Sequence, residues 1–268
     1  MSHFQSLQKS LHLLHLLDTR HDHFLGISRI LPFYAVVMAA FFLIVIAMKR
    51  NYYINDLNPQ NFKKLATQVA FHEAGHAVAI YLYNKQQQLP SIFFQIHLNS
   101  YDDVTLLTTD DSQTAYVAAS IEGGCLIENL ALNLSVGSSE IYPEEKEEYH
   151  RALNADVINL LAGSIAEQHY LILRDNEVID VDLISIKNLG RYGNYSDMQK
   201  INNYLRFFSD DPREQQEKLT ELLKKSFLFI TDRQTWKSVT AVAYYLLNSQ
   251  EKDVHCEDIF NVIDRVTV

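Results

Sequence analysis

The chain has little cysteine: two in 268 residues, Cys125 and Cys256, far apart and in no CxxC arrangement. A disulfide framework is not implied, and a reducing compartment is expected. Cys125 follows Gly123-Gly124 and reads as a small buried apolar residue. Glycine and proline are also sparse, 8 and 5 residues, while 47% of the chain is hydrophobic and 21% charged. That composition is globular, and the length allows one or two domains. Basic residues are outnumbered, 23 Lys and Arg against 33 Asp and Glu, for a formal charge of −10. No nucleic-acid partner is expected, because phosphate binding needs clustered positive charge. There is no GxxxxGK[ST] loop, no GxGxxG, no internal repeat and no low-complexity tract. The chain therefore shows no recognisable route to ATP.

The most informative segment that is present is His72-Glu73-Ala74-Gly75-His76, an HExxH motif. It lies in a stretch, residues 61–83, that reads as one amphipathic helix. Positions four apart share a helix face, so both imidazoles point one way and can hold one ion. Glu73 stands at the edge of that face, placed as a general base. Two neutral nitrogen donors suit zinc, which makes water nucleophilic near neutral pH. The competing reading is two surface histidines beside a solvated Glu. The apolar flanks Val69, Ala70, Phe71, Ala77, Val78, Ala79 and Ile80 oppose it, because buried polar groups need partners. Gly75, costly inside a helix, predicts the close approach of another segment beside the metal.

Residues 30–48 hold no charge, and Pro32 is the one member outside the hydrophobic class. At 1.5 Å per residue the run matches a hydrocarbon core of about 30 Å. It reads as a transmembrane helix rather than a signal peptide, since it starts late and ends at Lys49-Arg50. Lys49, Arg50, Lys63 and Lys64 follow it, against Arg20 and Arg29 before it, which places the catalytic domain in the cytoplasm. The expected organisation is an amphipathic tail at 1–29, a membrane span at 30–48, a linker at 49–60 and a metallopeptidase domain at 61–268. The tail carries His3, His12, His15, His21 and His23, read as solvated or headgroup-level.

The expected fold class is mainly α with a small β element. Residues 91–98 read as a strand that pairs with 104–108 across a turn. Helical patterns cover 113–134, 144–173, 196–208, 212–231, 233–248 and 256–266, with Asp211-Pro212 and Thr231-Asp232 as helix starts. The acid-rich segment 138–148 reads as a solvated face.

A catalytic zinc wants three protein donors and an open position. The sequence leaves the third open between Asp197, which follows Gly193-Asn194-Tyr195-Ser196, and Glu128, in the ExxA pattern of Glu128-Asn129-Leu130-Ala131. Asp156, Glu167 and His169 are further candidates.

Taken together, residues 60–265 resemble the protease domain of the FtsH-type membrane zinc metalloproteases. His72 to Ala77 matches the family's HEAGHA. Ala162-Gly163-Ser164-Ile165-Ala166-Glu167 is similar to its GGRxAE segment, and Gly193 to Asp197 to its G-x-x-N-D step. The tail 218–262 is similar to its last helical pair. The chain departs at Ala162, Ser164 and Ser196, in its longer connections before Ala162 and between Glu167 and Asp197, and in lacking the ATPase module. The resemblance implies His72, His76 and Asp197 as Zn2+ ligands and Glu73 as general base. It implies a membrane-anchored metalloendopeptidase acting on unfolded or loosely folded polypeptides, ATP-independent as a single chain, with a separate ATPase or further copies of itself as partners. An extended substrate is expected to add to the edge of strand 91–98. The alternatives are intramembrane cleavage, disfavoured by Lys63, Lys64 and Gln68 around the motif, and a catalytically inactive, FtsH-protease-like scaffold, disfavoured by Glu73.

Overall fold

The computed structural model describes residues 49–54, 59–100, 105–108, 114–127, 143–177 and 195–267, all within the unit Met48–Val268. The expected tail at 1–29, the membrane span at 30–48 and the candidate ligand Glu128 lie outside these residues. Among the described residues no helix is long and apolar enough to cross a membrane.

The elements run β1 (Lys49–Ile54), α1 (Pro59–Val78), β2 (Phe94–Leu98), β3 (Thr105–Thr108), β4 (Thr114–Gly123), α2 (Pro143–Arg174), α3 (Tyr195–Phe208), α4 (Pro212–Thr231), α5 (Arg233–Asn248), β5 (Asp253–His255) and α6 (Cys256–Thr267). The fold is mainly helical, with one small antiparallel sheet. Helices α4 and α5 begin where the caps predict. Asp211 accepts from the Arg213 N–H with Pro212 in the first turn, and Asp232 accepts from the Gln234 and Thr235 N–H groups.

α1 is the central helix, packed against α2 and α5 and laid on β4. Residues 69–80 are buried without interruption. The helix then widens into a π-turn, Ala79–Tyr83. Such turns free backbone carbonyls. Asn159 of α2 supplies the partner: with its amide nitrogen turned inward it donates to the Ala79 and Ala155 carbonyls at 3.2 Å each. The closeness of α1 and α2 depends on Gly75, where a Cβ would overlap the Ala162 carbonyl and stand 2.7 Å from the Ala166 Cβ. This is the close approach the interior glycine predicts.

Three expectations of strand structure are corrected. Residues 49–54, expected within a linker, form β1, because β4 offers them an antiparallel partner from Lys49↔Glu122 to Ile54↔Tyr116. The stretch 113–134, expected to be helical, contains β4, the strand on which the sheet is built. Its alternation of Tyr116, Ala118 and Ser120 with Val117, Ala119 and Ile121 serves pairing on both edges. Finally, β2 and β3 do not pair with each other; β2 takes β4 from Phe94↔Gly123 to Leu98↔Ala119, and β3 takes it from Thr105↔Val117 to Thr108↔Thr114. β5 covers the other edge of β2 at Gln95, Ile96 and His97. The edge expected to receive an extended substrate is therefore occupied on both sides along those residues.

The sheet's inner face supplies Phe94, Ile96, Ile121 and Val254 to the core. Arg50 and Tyr52 share that face, since they stand opposite Ile121 and Ala119. That register carries both side chains from β1 toward the motif.

Candidate metal centre

Three donors converge. His72 Nε2 and His76 Nε2 are 3.0 Å apart, and Asp197 Oδ2 lies 3.4 Å from the first and 3.2 Å from the second. All three residues are buried, at 2%, 1% and 3% exposure. Among the described residues this is the one group of His, Cys, Asp or Glu side chains whose ligand atoms gather closely enough for an ion. Donors arranged tetrahedrally at 2.0–2.1 Å from zinc stand about 3.3 Å apart, which matches the three separations.

The hydrogen bonds behind the donors fix what faces inward. His76 Nδ1 lies 2.7 Å from the Asn159 backbone oxygen, which can only accept, so Nδ1 carries the proton. His72 Nδ1 donates to Glu167 Oε2 at 3.1 Å. With both Nδ1 atoms protonated, both Nε2 atoms present lone pairs to each other and to the Asp197 carboxylate. Three facing acceptors require a positive charge between them. A proton on His72 Nε2 competes for that place: burial opposes protonation of His72, but its bonds to Asp197 and Glu167 prevail and push it up to about 10, so an ion binds there by displacing a proton. Burial takes His76 down, so the pair favours one charge, not two. Burial would raise Asp197, but His76, His72 and Arg50 hold it well below the usual carboxylate range.

The surrounding charges make the same demand. The carboxyl groups of Asp197, Glu167 and Glu73 all act on His72, while the one buried guanidinium among the described residues, Arg50, acts on Asp197 and Glu73. With neutral imidazoles and all three carboxyls ionised, a divalent cation balances this set. Two imidazoles and one carboxylate are donors that zinc accepts readily.

Each donor is positioned from a different part of the chain. Glu167 is not a ligand but a brace: its second oxygen accepts from Tyr52 Oη at 2.9 Å, and the Tyr52 ring stands edge-on to His72 at 4.8 Å. Burial raises the Glu167 carboxyl, and its bonds from His72 and Tyr52 oppose the rise. Asp197 sits in the first turn of α3, whose start is tied to β1 by Ser196: its Oγ accepts from the Asn51 N–H at 3.2 Å and donates to the Asn51 carbonyl at 3.0 Å. The other candidates have different work. Asp156 accepts from the Leu126 and Ile127 N–H groups at 2.8 Å each, and His169 packs edge-on against Trp236 at 4.2 Å.

The segment 162–167 is thus a strip of α2 shaped to the motif helix. Ala162 receives Gly75, Gly163 receives the His76 ring, and Glu167 orients His72. A Cβ on Gly163 would collide with His76 Nε2 and lie 2.6 Å from Cε1 and 2.8 Å from Cδ2. The ring cannot retreat without giving up Asn159. Gly163→Ala is therefore expected to weaken zinc binding about 10- to 100-fold, as for loss of an orienting partner, and to cost about 1–3 kcal/mol of stability. Calorimetric titration of zinc and thermal unfolding check this; unchanged zinc affinity would mean that the ring has room to move.

Glu73 is 2% exposed and coordinates nothing in this arrangement; its Oε2 has no hydrogen-bond partner. Burial pushes its carboxyl up to about 7, against the charges of His72 and Arg50. Arg50 and Tyr52 contribute to the site without any motif in the sequence. The register of β1 against β4 brings them there.

No family model matches the chain, and no curated protein is found to match it.

Proposed function

We propose that the chain is a zinc-dependent metalloendopeptidase, similar to the protease domain of the FtsH-type enzymes. Its natural substrates would be unfolded or loosely folded polypeptides. The observation that carries this reading is a pair of facing Nε2 atoms and a carboxylate at near-tetrahedral spacing, with a buried carboxyl beside them, Glu73, whose Oε2 has no partner. His72, His76 and Asp197 hold the ion. When bound, zinc supplies a Lewis acid that activates water and polarises a carbonyl.

The rest of the chemistry belongs to side chains. Glu73 takes a proton from water and passes it to the leaving amine. A carboxyl that burial raises is suited to both transfers. Glu167 and Asn159 keep each imidazole in the tautomer that offers Nε2 inward. Tyr52 holds Glu167 in turn. A binding-only scaffold has no use for a buried carboxyl with an open oxygen at this position. The membrane anchor at residues 30–48 and a cytoplasmic catalytic domain belong to the same proposal, on the hydropathy and flanking charges of the sequence.

Metal removal tests the reading. The full chain is expected to carry one zinc per molecule and to cleave casein. Dialysis against a chelator should abolish cleavage, and stoichiometric zinc should restore it. Cleavage that survives complete removal of metal would rule the mechanism out.

A further inference from the structure

Arg50 is 3% exposed, and its hydrogen bonding is mostly unspent. Nη2 donates to the Gly123 carbonyl at 3.3 Å. Nη1 stands 3.9 Å from Asp197 Oδ1, beyond hydrogen-bond reach, and neither Nη1 nor Nε has a partner. A purely structural ion pair at this depth would close to about 2.7–2.9 Å and use the guanidinium fork in full. Buried donors left open carry a free-energy cost, which the fold bears here at the edge of the metal centre. Partnerless acceptors, Glu73 Oε2 and Asp197 Oδ1, belong to the same cluster. The charge on Arg50 acts on both Glu73 and Asp197.

Buried donors and buried acceptors left open together fit a ligand that carries both, and a peptide group does: its carbonyl oxygen accepts and its N–H donates. We propose that Arg50 is a substrate-contacting catalytic residue, whose Nε–H and Nη1–H bind the carbonyl oxygen of the scissile peptide and the negative charge that develops there. This rests on the peptidase reading. In the step, the oxygen of water forms a bond to the carbonyl carbon while Glu73 takes a proton from that water. The C=O π pair moves onto the oxygen facing Arg50. The pair then returns, the C–N bond breaks, and the amine leaves with the proton from Glu73. Arg50 gives up no proton. The competing role is that of a counter-charge for Asp197.

Arg50→Lys separates the two roles, because it keeps the charge and loses the fork. The measurements use the zinc-loaded full chain: zinc content, kcat and KM on an unfolded casein substrate, and inhibition by a phosphinic peptide, whose tetrahedral anion mimics the charged oxygen. The variant is expected to keep its zinc, to change KM by less than about threefold and to lose about 100-fold in kcat, the effect of removing one such donor. The inhibition constant for the phosphinic peptide should rise in step.

A second readout needs no variant. In wild type, the Arg50 Nε–H proton resonance should move downfield and exchange more slowly when the phosphinic peptide saturates the site; this decides the matter if Arg50→Lys does not fold. Wild-type kcat and inhibition in Arg50→Lys, or an Nε–H resonance unmoved by saturating inhibitor, would leave Arg50 as a counter-charge alone. If zinc-loaded wild type neither cleaves casein nor binds the phosphinic peptide, the peptidase reading falls and the role of Arg50 falls with it.

Discussion

Glu73→Gln is expected to keep one zinc per chain and to lose casein cleavage by about 10³-fold. Glutamine preserves the volume and leaves His72, His76 and Asp197 untouched, so the ion stays. What disappears is a base. General acid–base catalysis contributes about 10²–10⁴-fold, or roughly 3–5 kcal/mol of barrier at 1.36 kcal/mol per factor of ten. The expected loss is central to that range because Glu73 serves twice, on the water and on the leaving amine. The same exchange should not destabilise the fold. A buried carboxylate with a partnerless oxygen is a strain on the apoprotein, and a neutral amide removes it. Zinc analysis, product quantification and thermal unfolding on one preparation give all three answers. Undiminished cleavage would place the base elsewhere. Loss of zinc would make Glu73 a ligand, against the spacing seen here.

Asp197→Ala is expected to act on the ion and on the fold together. The two imidazoles remain, but a two-donor site is weak. Zinc affinity should fall by more than about 100-fold, beyond what loss of an orienting partner costs. Removing the carboxylate also leaves Arg50 buried beside nothing negative but Glu73. Orphaning one member of a buried pair costs about 3–5 kcal/mol. The lower end applies, because the 3.9 Å separation makes this pair loose. Asp197→Asn separates the effects: it keeps the shape and one oxygen donor but discards the charge. Competition with a zinc indicator measures the first effect, and denaturant unfolding of the apoprotein the second. Wild-type zinc affinity in Asp197→Ala would move the third ligand elsewhere, with Glu128 the first residue to test.

Much of this centre is legible in the sequence where the signal is local. The HExxH spacing places two imidazoles on one turn of helix, and the interior Gly75 announces a neighbour, which proves to be Ala162. The caps Asp211 and Asp232 fix the starts of α4 and α5 because capping involves residues adjacent in sequence. What is not legible depends on pairing across distance. β4 reads as a helix because its alanines favour one, and its strand state follows from partners on both edges. β1 reads as a linker because nothing within six residues reveals β4. Arg50, assigned by its charge to the flank of an apolar run, reaches the metal centre through register alone. Glu167 is found as a candidate but in the wrong role, since ligand and brace are both carboxylates and differ by which histidine nitrogen they meet. The Asn159 contribution is a backbone carbonyl and leaves no trace in residue type.

The tie between Ser196 and Asn51 spans 145 positions, and the centre it closes draws on β1, α1, α2 and α3. During synthesis the HExxH helix emerges long before Asp197 exists. Until then the growing chain carries two histidines and a base without the third donor or the clamp that seats it. On the proposed reading, a peptidase built this way would be latent on the ribosome. It would acquire its cutting chemistry only when α3 has been made and has folded back onto the first strand, by which point its own backbone is largely committed to helices and sheet and would be a poor target for it.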